Sequence, residues 1–324
     1  MALGGGTGLP AVLRGLVQSA NPSIDLDALT AVVTVTDDGG SSGRLRELFG
    51  VLPPGDIRNC LVALASHDGA VAQFLQHRIA DDAGGHAGHP IGNLLLTALT
   101  QVTGDFAKAI DQVGSLVGAR GRVIPTTLEN VRLRARMESG KVVFGETAIV
   151  QDPLRIAQLS LSPSPRPLPD VICALANADA IVVGPGSLYT SVLPNLLVEG
   201  VAATIYGSSA VRIYVANLMT QPGETDGYSI DDHLRAIHAH TGYHLFDYIL
   251  VHNGSLEPET LQRYAQEGSI PVSRPGRLHC VGSAQVLECD LAARDNEGKI
   301  RHNGRALARI IASLARTHQA LPLD

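Results

Sequence analysis

Two carboxylates stand side by side at Asp37 and Asp38, and Gly39, Gly40, Ser41, Ser42, Gly43 and Arg44 follow at once. Backbone amides, two hydroxyls and a guanidinium in one short segment are the groups that cradle a phosphate. The carboxylates ahead of them would repel it. A second tight turn then presents Asp56, Arg58 and Asn59. Three readings of the carboxylates compete. Asp37 ends a β-branched run, where dinucleotide enzymes place an acid against ribose hydroxyls. Either residue could simply cap the next helix. Asp38 with Asp56 could instead supply oxygens to Mg²⁺ shared with a substrate phosphate.

Two further Gly loops repeat the arrangement. Gly4, Gly5, Gly6, Thr7, Gly8 and Leu9 lie between a short strand and a helix, where amides and the helix dipole favour an anion. Gly6, Gly8 and Ala11 also fit the dinucleotide fingerprint, although a tight turn without ligand has the same spacing. Gly184, Pro185, Gly186 and Ser187 lead into Tyr189, Thr190 and Ser191 at another helix start. Asn217, Thr220, Gln221 and Thr225 follow the next strand, and such neutral groups suit sugars and bases. Asn59 and Asn93 complete the candidate contacts. The histidines do not read as a metal site. His86 and His89 lack a matching Cys or carboxylate spacing, and His238 and His240 point to different helix faces. There is neither a Gly-x-Ser-x-Gly elbow nor a Gly-x-x-x-x-Gly-Lys-Ser/Thr loop.

The elements that must position these groups form a strand–helix rhythm. Leu9, Val12, Leu13, Leu16 and Val17 give one buried helical face. Residues 28–36 make a continuous strand ending at Asp37, as expected of a strand covered on both faces. Residues 57–67 and 91–117 read as helices. From 131 apolar and polar residues alternate around a Ser139-Gly140 turn, which predicts a small β insertion over 124–169 within a single unit spanning 1–324. Ser229 and Asp232 predict a capping box. The predicted fold class is α/β, with a mostly parallel sheet covered on both faces. Net charge is −6, aromatics are 4% and tryptophan is absent, which argues against a nucleic-acid partner. No run approaches the apolar length of a membrane span, and the scattered cysteines read as free thiols in a cytoplasmic protein.

Several segments together resemble one family: "GGGTGLPAVLRGL", "VTDDGGSSGRLRELFGVLPPGDIRNCLVAL", "HPIGNLLLTALTQVTGDF", "GPGSLYTSVLPNLLVEG" and "NLMTQPGETDGYSIDDHLRAI". They look like the YvcK family of bacterial gluconeogenesis factors, within the wider CofD-like superfamily. The resemblance implies a Rossmann-like three-layer α/β/α fold and binding of UDP-N-acetylglucosamine. It also implies a regulatory, non-enzymatic role in cell morphogenesis and wall-precursor supply on gluconeogenic carbon sources. By motif position it places nucleotide-sugar contacts at Tyr264 and Arg301. Its enzyme cousins, the 2-phospho-L-lactate transferases, imply metal-binding aspartates at Asp38 and Asp56, and hence a Mg²⁺-dependent transferase as the alternative. NAD could occupy the same site, which leaves an oxidoreductase as a lesser alternative. A homodimer is left open as the assembly. Family members carry a fuller first strand, which implies residues ahead of Met1.

Overall fold

β-branched runs alternating with amphipathic helices become one large sheet in the computed structural model, which describes residues 1–19, 21–66, 69–80, 88–273, 280–281, 283–295 and 297–319. The first half runs β1 (Ala2–Gly4), α1 (Gly8–Gln18), β2 (Thr30–Val33), α2 (Gly40–Phe49), α3 (Gly55–Leu64), α4 (Ala70–Gln76), α5 (Ile91–Thr103), α6 (Phe106–Leu116) and β3 (Arg122–Pro125). The insertion follows as β4 (Arg132–Met137), β5 (Val142–Phe144), α7 (Glu146–Gln151) and β6 (Ile156–Ser162). The second half begins with α8 (Pro169–Ala176), β7 (Ala180–Val183), a π-helical turn at Leu188–Val192, α9 (Leu193–Leu196), α10 (Val201–Gly207) and β8 (Val211–Val215). It ends with α11 (Ile230–Thr241), β9 (Tyr248–His252), α12 (Pro258–Gln266), β10 (Cys280–Val281), β11 (Ala284–Cys289), β12 (Ala292–Arg294), β13 (Ile300–His302) and α13 (Gly304–Gln319).

The main sheet has the order β10-β11-β9-β8-β7-β1-β2-β3. Seven neighbouring strands are parallel, and β10 pairs antiparallel with β11 at one edge. Successive residues of a strand feed opposite cores, as the two-residue period requires. Val33 and Val182 pack into one core with α1, α3, α6 and α13, while Val32 and Val183 pack into the other with α8, α9, α10 and α11. The Rossmann-like three-layer α/β/α expectation is met.

Chain progression reverses at the centre of this sheet. From β1 it runs through β2 to β3 on one side, and from β7 through β8 and β9 to β11 on the other. That is a topological switch point, and the crevice outside its carboxyl ends is where open α/β sheets bind ligands. The loops after β1 and β7 therefore meet there, although about 180 residues separate them.

Several expected boundaries shift. β2 stops at Val33 because its neighbours β1 and β3 end opposite it at Gly4 and Pro125; Thr34 N still donates to Gly4 O (3.2 Å), and residues 34–37 continue outside the strand. β3 belongs to the main sheet, so the expected start of the insertion at 124 falls inside a core strand. The insertion itself is a three-stranded antiparallel sheet in the order β5-β4-β6. α4 and the β12–β13 hairpin were not legible as elements, being short and flanked by polar chain. His86 and most of the Gly/His loop lie outside the described residues. The capping box at Ser229 and Asp232 is present. Among the described residues no single helix is long and apolar enough to cross a membrane. A bent pair, Leu188–Leu196 with Val201–Gly207, meets that test by length and composition alone.

Candidate functional site

A cleft of about 480 Å³ opens at the switch point. Gly6, Thr7 and Gly8 form one wall at the N-terminus of α1, and Pro185, Gly186 and Ser187 form the next. Asn217, Thr220 and Gln221 follow from the end of β8, and Tyr264 and Arg301 close the far side. Eleven of the sequence-predicted residues thus converge here, drawn from segments between residues 6 and 301.

The two Gly loops touch through their backbones. A Cβ at Gly8 would stand 2.2 Å from the carbonyl oxygen of Pro185 and 2.7 Å from its carbon. Gly8 is therefore glycine because another main chain occupies its side-chain space. That contact accounts for the middle glycine of the dinucleotide fingerprint without any pyrophosphate, and it removes the main support for an NAD site. The loops are also cross-linked by polar groups. Gly186 N donates to Asn217 Oδ1 (3.2 Å), Asn217 Nδ2 to Gln221 Oε1 (3.3 Å), and Gln221 Nε2 to Ser187 Oγ (2.7 Å). Because Ser187 Oγ accepts within this chain, its own proton is left to donate into the cleft.

Several predicted residues serve the frame, Gly6 and Thr220 while also lining the cleft. Leu9 is fully buried in the core. Gly6 N donates to Asp56 Oδ2 (2.6 Å), so one loop amide is already spent on protein. Tyr189 N donates to Glu224 Oε2 (3.1 Å) and Thr190 Oγ1 to Glu224 Oε1 (3.2 Å), inside the π-helical turn where Val192 N reaches Ser187 O. Thr225 is fully buried, its hydroxyl accepting from Gln221 N. The Thr220 hydroxyl accepts from Ile270 N, which uses it to hold the cleft floor. Ser191 is buried against Gly5 and Gly186.

The segment with two carboxylates also changes character. Gly40 to Arg44 are the first turn of α2, not a loop. The Ser42 hydroxyl accepts from Gly55 N (3.1 Å). Ser41 sits in a chain whose polarity can be read. Arg58 Nη1 donates to Asn93 Oδ1 (2.8 Å), so the Asn93 amide faces Ser41 Oγ and donates to it (2.9 Å). The Ser41 proton therefore goes to His89 Nδ1, 2.7 Å away. Asn59 is held by Arg58 Nη2 (2.7 Å). Ser41, Ser42, Asn59 and Asn93 thus lock α2, α3 and α5 together, and none of them lines the cleft. Neither aspartate caps α2. Asp37 Oδ1 accepts from Gly39 N (2.9 Å) within its own turn. Asp38 instead caps α7, accepting from Glu146 N (3.0 Å), Thr147 N (2.9 Å) and Thr147 Oγ1 (2.9 Å). Asp38→Ala is expected to lower stability by about 1–2 kcal/mol in urea unfolding, the usual cost of losing a cap. An unchanged midpoint would show that α7 does not depend on it.

Asp38 and Asp56 are both engaged by the protein itself. Asp38 spends both oxygens on α7, and Asp56 gives one to Gly6. Among the described residues no group of three His, Cys, Asp or Glu is arranged to hold an ion.

Charge around the cleft is uneven. Burial pushes the Asp56 carboxyl up to about 6, helped by Asp37 and opposed by the Gly6 amide. Burial, with the charges of Asp37, Asp56, Glu224 and Asp38, pushes Glu146 up to about 9, so it is protonated at neutral pH and can donate a hydrogen bond. Burial raises Glu224, which lines the cleft, to about 7. His302 also lines it. Its Nε2 donates to Ala216 O (3.0 Å), and burial lowers it to about 4, so it is neutral and offers no cation to a phosphate. Among the described residues that line the cleft, Arg301 is the cation that remains, steadied by Asp295 at 3.1 Å. Tyr264 positions it, since its hydroxyl accepts from Ile300 N (3.0 Å). Glu224, Glu146 and His302 were missed in the sequence. Glu224 stands between the quoted Gln221 and Thr225, and His302 adjoins Arg301, but no spacing rule marks a buried acid.

A family model for 2-phospho-L-lactate transferase CofD matches residues 1–287. The gluconeogenesis factor of Halalkalibacterium halodurans is 42% identical over 96% of this chain and 94% of its own length. That of Bacillus subtilis is 41% identical over 96% and 96%. A crystal structure of a UPF0052 family protein from Bacillus halodurans superposes with a TM-score of 0.90 at 42% identity, covering 96% of this chain and 98% of that one. The chain therefore belongs to the CofD family, in its gluconeogenesis-factor (YvcK) branch.

Proposed function

We propose that the cleft binds a nucleoside-diphosphate sugar, UDP-N-acetylglucosamine, and that the chain is a cytoplasmic regulator that senses this ligand without turning it over. Its role would be to support cell shape and wall-precursor supply during gluconeogenic growth. One observation carries the reading: a cleft of about 480 Å³ brings together an α1 N-terminus, the Ser187 hydroxyl with its proton left to donate, the cross-linked side chains of Asn217 and Gln221, and Arg301. The helix end and Arg301 suit a pyrophosphate. The neutral groups suit a sugar or base, and the volume falls in the range of small-ligand sites. The names of the relatives support the gluconeogenic setting.

Calorimetry with a nucleotide-sugar panel, with and without Mg²⁺, tests this. UDP-N-acetylglucosamine is expected to bind with Kd on the order of micromolar. Arg301→Ala should weaken it roughly tenfold or more, the loss of a charge-assisted contact. Tyr264→Phe should weaken it less, by orphaning Ile300 N and loosening β13. A second reading, phospholactate-type transfer, is favoured by the family model's name. Heat only with such a phosphorylated substrate plus Mg²⁺, and none with the nucleotide sugar, would replace the first reading by the second.

A further inference from the structure

Arg132, Arg134 and Arg136 alternate with Leu133, Ala135 and Met137 along β4. The apolar set is fully buried and the three arginines are exposed, so they form one row on the outer face of the insertion sheet. Their step is about 7 Å, two strand residues. The register sets Phe144 beside Arg134 and Val142 beside Arg136 on one flank, and Ser160 and Gln158 on the other. Phe144 is 52% exposed and Val142 40%. Among the described residues no ion pair holds any of the three guanidinium groups; Arg136 reaches only the neutral Gln158 Oε1 (3.1 Å). A chain of net charge −6 thus carries a concentrated row of cations without ion-pair partners.

The same flank has an open edge. Met137 N donates to Lys141 O (2.8 Å) and Gly145 N to Leu133 O (2.9 Å). In an antiparallel ladder this turns residues 141, 143 and 145 toward β4, and it turns the N–H and C=O of Val142 and Phe144 outward. Among the described residues no strand lies beyond β5. The residues that offer free backbone groups are therefore the two whose side chains border the arginines.

We propose that β5 is a docking edge for an extended acidic segment of a partner protein. The segment pairs with the outward groups of Val142 and Phe144, its carboxylates at alternate positions meet Arg134 and Arg136, and its apolar contacts cover Phe144. A second copy of this chain fits poorly, because pairing β5 with β5 would bring two arginine rows onto one face. A polynucleotide fits poorly too: three cations and one exposed ring are a small footprint on an acidic chain. β5 runs through Gly145 into α7, whose Val150 lines the cleft, so a docked strand sits close to the ligand site.

Fluorescence anisotropy on the full chain at low salt tests this. The probes are a labelled peptide of alternating Glu and Val, its Lys/Val counterpart, and a short oligo(dT). The Glu/Val peptide should bind and the Lys/Val peptide should not. R134E/R136E should weaken binding at least tenfold, and the milder R134Q/R136Q should weaken it less. Val142→Pro removes an outward N–H and leaves the ladder intact, so it should weaken binding severalfold with an unchanged melting temperature. The proposal fails if the two peptides bind alike or if the arginine variants bind the Glu/Val peptide normally. It fails in favour of a polyanion surface if oligo(dT) binds more tightly and Val142→Pro is silent. It also fails if the arginine variants self-associate while no peptide binds the wild type, since the row would then only guard the edge.

Discussion

Gly8→Ala should cost about 3 kcal/mol or more in denaturant unfolding and reduce nucleotide-sugar affinity more than tenfold. The new methyl would sit 2.2 Å from Pro185 O; its position is fixed by the backbone and it meets backbone, so no rotamer change can relieve it. Relief requires the loops after β1 and β7 to separate, and these loops form two adjacent walls of the cleft. Gly207→Ala is the matched control, with nothing within 4 Å of its added Cβ, and it should leave affinity unchanged and stability equal or higher by up to about 1 kcal/mol. If Gly8→Ala unfolds normally yet loses binding, the contact is softer than the structure has it and Gly8 serves the ligand directly. If it loses stability and keeps affinity, the cleft does not depend on how the two loops are spaced.

The difference in stability between wild type and Glu224→Gln should swing by about 3 kcal/mol between pH 4 and pH 8. Burial holds the Glu224 carboxyl at about 7 in the folded chain, against 4.5 for a free glutamate. The folded state therefore binds the proton more tightly than the unfolded state does. Its contribution is fully present below about 4.5 and is lost as pH rises to about 7, at about 1.4 kcal/mol for each pH unit between those two values. Glutamine stays neutral throughout, so the variant should gain on the wild type as pH rises through that window. His302 works in the opposite sense, since its lowered value costs stability as pH falls from 6.5 toward 4. Comparing the two proteins at each pH cancels that background. A difference that stays flat from pH 4 to 8 would mean that Glu224 titrates normally and that water reaches it. Glu224→Gln should also bind an anionic ligand more tightly at pH 8, because it removes a charge that lines the cleft.

Much of this molecule is legible in one dimension. The α1 face of Leu9, Val12, Leu13 and Leu16, the parallel β-branched strands, the Ser229 capping box and the β4–β5 hairpin all follow from local periodicity and local hydrogen bonding. The loops after β1 and β7 were also legible as unusual, because glycines at strand ends have few other uses. The polar residues were read less well. Ser41, Ser42, Thr190 and Thr225 look like ligand donors in sequence, but their hydroxyls are spent on His89, Gly55, Glu224 and Gln221. A hydroxyl carries no mark of which partner it will find. Asp38 shows the same limit, as its partners lie 108 and 109 residues away on α7.

Interactions a few residues apart suffice for most of the elements, the α/β class and the Gly-rich strand ends. The three-dimensional arrangement alone makes β1 and β7 neighbours, and hence sets Gly8 against Pro185 in a cleft shared with Arg301. It also sets which groups lose water: the raised Glu224 and Glu146 and the lowered His302 owe their values mainly to desolvation. Strand order and burial are long-range properties, set by how two cores fill on either face of one sheet, and no local spacing encodes them.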